Sequence, residues 1–156
     1  MPFATYEENT EMQQLYCGSY DIYGEFRRKL GDDSNPGFCF AFRIEYKHDS
    51  ETYGLIEDVN TMAFILELDE VKQIIRELQY MYDNLRGQCI IEEREDVSFL
   101  KLYFVGRFLK LKGKFSGEAD AHLFGENLYW DKYDGGIDVD QTILLPFINL
   151  FRSAIK

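Results

Sequence analysis

Between residues 38 and 85 the spacing of apolar side chains changes period, and that change constrains the fold more than any other feature of the chain. In Phe38-Cys39-Phe40-Ala41-Phe42-Arg43-Ile44-Glu45-Tyr46-Lys47 the large apolar residues fall at every second position, with Arg43, Glu45 and Lys47 between them. Successive side chains of a strand point to opposite faces, so this pattern specifies a strand with one face buried. From Val71 the step lengthens: Val71, Ile74, Ile75, Leu78, Met81, Tyr82 and Leu85 fall along one stripe of an α-helix. A strand face and a helix stripe of this kind each need an apolar partner, and the simplest one available is the other. Asp69 is expected to cap the helix, Arg86 to sit at the negative end of its dipole, and Gly87 to take a left-handed exit. Its outer face, Lys72, Gln73, Arg76, Glu77, Asp83 and Asn84, is mixed in sign and reads as solvated.

The rest of the chain repeats these two patterns. Residues 1–37 read as N-terminal strands and loop: Leu15 to Lys29 supplies one or two strands broken near Gly18, and Gly31-Asp32-Asp33-Ser34-Asn35-Pro36-Gly37 is loop chemistry. Thr52 to Val59 and Met62 to Leu68 read as two further strands. After the helix come Gln88 to Glu93, Ser98 to Val105, Phe108 to Phe115 and Glu118 to Phe124. Their connections are short, so neighbours are antiparallel. No internal repeat, low-complexity tract or linker divides the chain, and 46% hydrophobic residues suffice for one core. The expectation is one domain over 1–156 of α+β class, a mainly antiparallel β-sheet with two α-helices packed on it.

Charge narrows the partners. With 28 acidic and 17 basic side chains the net charge is −11, which repels the phosphates of nucleic acid and anionic membranes and suits a basic protein. The acidic excess lies toward both ends, before residue 60 and after residue 115. Cys17, Cys39 and Cys89 are odd in number and far apart, so neither a disulfide framework nor a zinc site is indicated. Met1 to Met12 carries Glu7, Glu8 and Glu11 rather than a basic start and an apolar run, and no stretch approaches a membrane span. A cytoplasmic protein is expected.

Catalytic constellations are sparse. His48 falls in a predicted turn; Asp120 and His122 lie two apart on a predicted strand, on one side, but no third metal ligand accompanies them. No cysteine has a histidine near it in sequence, and no glycine pattern cradles a phosphate. Carboxylate pairs such as Glu92-Glu93 and Glu95-Asp96 arise by chance in so acidic a chain. No metal, cofactor or catalytic residue is therefore expected. Lys110, Lys112 and Lys114 share one strand face, a basic ridge that reads as a wet face guarding against edge-to-edge pairing. Tyr129, Trp130 and Tyr133 with Asp131 and Asp134 have the composition of a protein-binding surface, rings as anchors and carboxylates as rim. The alternative is a small enzyme or ligand-binding domain with an internal pocket, using Asp120 and His122. The apolar last segment also admits a homodimer.

That last segment, "GGIDVDQTILLPFINLF", combines an acidic turn with an apolar run containing Pro146. Asp138 or Asp140 is expected to accept backbone N–H groups, Thr142 to cap, and a helix to run from Ile143 or later to about Ile155 with Pro146 in its first turn. The turn thus reads as a structural clasp. Together with a helix after a Leu-Glu-Leu strand, "LKLKGKF" and "ENLYW", the run "DVDQTILLPFINLF" resembles the small immunity proteins paired with wall-associated, Rhs-repeat polymorphic toxins of bacteria. The likeness covers roughly residues 38–156 and is most specific at Asp140-Gln141-Thr142 with Leu145-Pro146; members usually read Tyr-Leu where this chain has Ile143-Leu144. The resemblance implies an antitoxin without enzymatic activity that binds one toxin domain and blocks it. A nuclease toxin with a basic groove would suit the charge. Contact is expected from the acidic loops Asp32, Asp33, Glu92, Glu93, Glu95, Asp96, Asp131, Asp134 and Asp138, with Tyr129, Trp130 and Tyr133.

Overall fold

The computed structural model describes residues 6–7, 11–18, 20–30, 37–50, 54–92, 99–116, 121–123 and 137–156. They form two antiparallel sheets and two α-helices, an α+β architecture. Sheet A has the order β1 (Gln13–Cys17), β2 (Tyr20–Arg28), β3 (Gly37–Ser50), β4 (Gly54–Glu67). Helix α1 (Leu68–Asn84) follows β4 without a loop. Sheet B has the order β5 (Gln88–Glu92), β6 (Phe99–Val105), β7 (Phe108–Ser116), β8 (Ala121–Leu123). A short β9 (Ile137–Val139) joins β7 on the edge that β8 also uses, and the chain ends in α2 (Leu144–Ala154).

The period-two pattern behaves as its spacing dictates. Phe38, Phe40, Phe42 and Ile44 are buried on one face of β3, and β4 sets Leu66, Phe64 and Met62 opposite the first three. On the other side of β3, β2 sets Phe26 opposite Phe40 and Gly24 opposite Phe42. Against this face lies α2, whose Phe147 and Phe151 complete a ring cluster. Phe151 meets Phe26 edge-on at 4.5 Å and Phe40 at 4.9 Å, and Phe147 meets Phe40 at 5.9 Å. These separations are those at which edge-to-face and offset rings attract. Gly24 leaves room for the helix: a Cβ there would stand 3.0 Å from Leu15 Cδ1 and from Leu150 Cδ2.

Helix α1 packs beside α2 and touches β4 and β5, burying Val71, Ile74, Leu78 and Met81. The inner face of sheet B, with Cys89, Ile91, Leu100, Leu102, Leu109, Leu111 and Val139, joins the same core. Both ends of α2 are tied to sheet A. At its start Asp140 Oδ1 accepts the Thr142 N–H at 2.9 Å, while the Asp140 N–H donates to Tyr16 Oη at 3.2 Å. At its end the Arg28 guanidinium donates to the carbonyls of Ser153, Ala154 and Lys156, where a cation complements the helix dipole.

Four sequence expectations change in detail. Residues 54–67 form one strand rather than two, because β3 pairs with them through Asn60 and Thr61 without interruption. Backbone ladders are indifferent to a polar side chain. The start of α1 is closed not by Asp69 but by Glu67 and Glu70, with Glu70 Oε1 accepting the Glu67 N–H at 3.0 Å. Its left-handed exit is Leu85, at φ 52°, although Gly87 also has positive φ. At the start of α2 the cap is Asp140, and Thr142 is its donor; Gln141–Ile143 make a 3-10 turn before the α-helix.

Phe151→Ala should remove the ring that joins helix to sheet and destabilise the protein by roughly 3–5 kcal/mol. Gly24→Ala should cost about 1–3 kcal/mol through overpacking. Urea unfolding checks both, as lowered midpoints with unchanged slopes. A Gly24→Ala midpoint equal to wild type would mean that Leu15 and Leu150 give way freely.

Candidate partner interface

Of the twelve residues expected to make contact, two are described. Glu92 ends β5 and is exposed; Asp138 lies in β9, exposed and ion-paired with Lys110. Asp32, Asp33, Glu93, Glu95, Asp96, Tyr129, Trp130, Asp131, Tyr133 and Asp134 lie outside the described residues. The register sets Gln88, Tyr103, Lys110 and Asp138 in one cross-strand row, with Glu92 four residues along β5 from Gln88. At ordinary strand spacings Glu92 and Asp138 are then about 20 Å apart. They do not form one patch.

The fold instead joins Glu92 to carboxylates from α1. Asp69, Glu70, Gln73 and Glu77 on one flank of the helix face Ile90 and Glu92 of β5 across a groove of about 270 Å³, floored by Leu66 and Ile74. Four carboxylates thus surround an apolar floor. The nearby cation is turned to a neutral partner, with both Arg76 Nη2 and Nε donating to Gln73 Oε1, at 2.6 and 3.2 Å. Glu77 accepts the Gln73 amide at 3.2 Å. Sequence reasoning missed Asp69, Glu70 and Glu77, because along the helix they alternate with Lys72 and Arg76 and look like an ordinary solvated face. A finer reading could have noticed that residues 69, 70, 73 and 77 share one flank, whereas 72 and 76 fall on another.

Other chemical candidates resolve more simply. Cys17 is exposed, Cys39 half-buried and Cys89 buried, all free thiols. Burial pushes the Cys89 thiol well above its ordinary pKa, and the neighbouring Glu77 carboxylate adds to the effect by charge and by hydrogen bonding. A hydrogen bond to Asp21 is the largest cause that raises Cys17. Neither is poised as a thiolate nucleophile. Glu25 is the one buried charged residue among those described, paired with Arg27 at 3.1 Å. It lines a cleft of about 290 Å³ with Glu7, Glu11 and Arg28. Asp120 and the side chains of His48 and His122 lie outside the described residues. Among the described residues no three His, Cys, Asp or Glu side chains are grouped to hold a metal, and no helix is long and apolar enough to cross a membrane.

Of the expected lysine ridge, Lys110 and Lys112 stand on the half-buried face of β7, and the side chain of Lys114 lies outside the described residues. Lys110 pairs with Asp138, and the Lys101 ammonium stands 4.7 Å over the Tyr103 ring across the sheet from it. Comparison with family models, curated proteins and solved structures gives no match.

Because the folded state holds Cys89 as the neutral thiol, it binds the proton more tightly than the unfolded chain does. Stability is then unaffected below the ordinary thiol pKa, roughly 8.5, and falls as pH rises above it toward the elevated folded value. Cys89→Ala should flatten the decline in unfolding free energy between roughly pH 8.5 and 10. In native protein a thiol reagent should label Cys17 rapidly and Cys89 only on unfolding; rapid native labelling of Cys89 would contradict its burial.

Proposed function

We propose that this chain is an immunity protein, an antitoxin that acts in the cytoplasm by binding a cognate toxin domain and covering its active site. The observation that carries this reading is the groove between α1 and β5, where Asp69, Glu70, Glu77 and Glu92 surround Leu66, Ile74 and Ile90. Carboxylates around an apolar floor suit a protein surface rich in lysine and arginine better than a small metabolite. A toxin that cleaves nucleic acid needs a basic groove for its substrate. A protein of net charge −11 can fill that groove as a phosphate mimic, and the long-range field speeds encounter.

The likeness of residues 38–156 to polymorphic-toxin immunity proteins supports the same role. Within it, Asp140-Gln141-Thr142 serves as the clasp at the start of α2, consistent with a protein that presents a rigid surface. Preorganisation of this kind limits the entropy lost on association. Binding alone accounts for the effect, and no bond in the toxin or its substrate need be made or broken by this chain.

The test is association with the C-terminal domain of a toxin encoded beside this gene, followed by calorimetry and stopped-flow mixing. Tight binding is expected, with the association rate falling about ten-fold or more between low salt and 0.5 M salt. A Glu77→Gln, Glu92→Gln double variant should slow association and weaken affinity. Absence of binding by the wild-type protein would reject the proposal.

A further inference from the structure

On the flank of α1 opposite the acidic groove, its C-terminal end meets the start of α2. Arg152 Nη2 donates to Gln79 Oε1 at 2.8 Å at one point of this contact. Further along, Tyr82, Asp83 and Leu85 face Gln141, Thr142 and Leu144 across a notch of about 530 Å³. As residue numbers rise along α1 they fall along α2, so the helices run antiparallel and end in this notch. Tyr82 is 42% exposed and Leu85 46%.

Leu85 is the unusual residue. It is the one non-glycine at positive φ among the described residues, and it closes α1 by donating its N–H to Met81 O at 2.8 Å. A side chain in this region crowds the following carbonyl, which is why glycine usually ends helices here. A leucine that packed into the core could offset that cost by burial. This one leaves nearly half its surface in water. Strain that local packing does not explain points to a use for the side chain outside the chain itself.

The charges around the notch indicate what it meets. Asp83 accepts from the amide nitrogen of Gln79, the side chain whose oxygen takes Arg152, and Asp140 accepts from the Thr142 N–H, both uncharged donors. The last turn of α1 contains no basic residue, so the negative end of its dipole adds to these carboxylates. The positive start of α2 is already answered by Asp140. Arg86, the nearest cation in sequence, is folded back: its Nε donates to Tyr80 Oη at 3.0 Å.

We infer that this notch is a second docking surface, built to receive an arginine of a basic protein partner beside an apolar side chain of that partner. The guanidinium would bond Asp83 and the end of α1 and stack on Tyr82, while Leu85 covers the apolar neighbour. The inference rests on the antitoxin reading and gives that partner a second point of contact, away from the acidic groove.

The experiment measures urea midpoints of the full chain and its affinity for the adjacent gene's toxin domain. It compares wild type, Leu85→Gly, Tyr82→Ser with Asp83→Asn, and the groove variant Glu77→Gln with Glu92→Gln. Leu85→Gly should raise the midpoint, by relieving the backbone, yet weaken binding about ten-fold or more. The Tyr82, Asp83 variant should weaken binding to a similar degree with its midpoint unchanged. Two outcomes overturn the inference while the antitoxin reading stands: notch variants that bind like wild type while the groove variant is weakened, or a Leu85→Gly midpoint below wild type, showing that the leucine serves its own core. Failure of the wild-type protein to bind rejects both.

Discussion

Contact between phenyl rings of sheet A and those of α2 is the constraint on which the remaining structure depends. Phe26 and Phe40 on adjacent strands stack at 5.1 Å, and Phe151 stands edge-on to both. A ring has two faces and an edge of different electrostatic character, so a cluster of them holds one mutual orientation more firmly than an aliphatic cluster would. That orientation sets where α2 lies, and α2 in turn is the surface against which α1 packs. Gly24 belongs to the same constraint, since a Cβ there would stand 3.0 Å from Leu15 and Leu150 and 3.1 Å from Phe40, so those side chains would have to give way.

The two ends of the last helix show how polar groups serve this apolar contact. Asp140 answers the first N–H groups and Arg28 the last carbonyls, and each tie joins α2 to a strand of sheet A: Tyr16 in β1 and Arg28 itself in β2. The helix is thereby fixed in register along its axis, which ring packing alone does not do. The acidic turn at residues 138–142 is part of the closure of the fold.

The surface then divides by flank. One flank of α1 gathers carboxylates with Glu92 of β5; the other borders α2 and presents Tyr82 and Leu85 over Asp83. Both combine exposed apolar atoms with negative charge. Surfaces of this kind lose water readily at their centre while their rim selects a partner of opposite sign. Near them, Arg76 on α1, Arg86 just beyond its end and Arg152 on α2 each donate to an uncharged side chain of α1, Gln73, Tyr80 and Gln79 respectively.

Sequence by itself determined the elements and their buried faces. Phe38, Phe40, Phe42 and Ile44 had to share a face, and Val71, Ile74, Leu78 and Met81 had to share a stripe, because side-chain direction follows from backbone repeat alone. The closing helix and its acidic cap were legible for the same local reason, and so was the overall acidity. Only tertiary structure decided that residues 54–67 run as one strand, since a partner strand, not a local preference, satisfies the backbone through Asn60 and Thr61. It alone brought Glu92 to Asp69, Glu70 and Glu77. Those outcomes depend on contacts between segments distant in the chain, and the spacing of residues within one segment carries no information about which other segment it will meet.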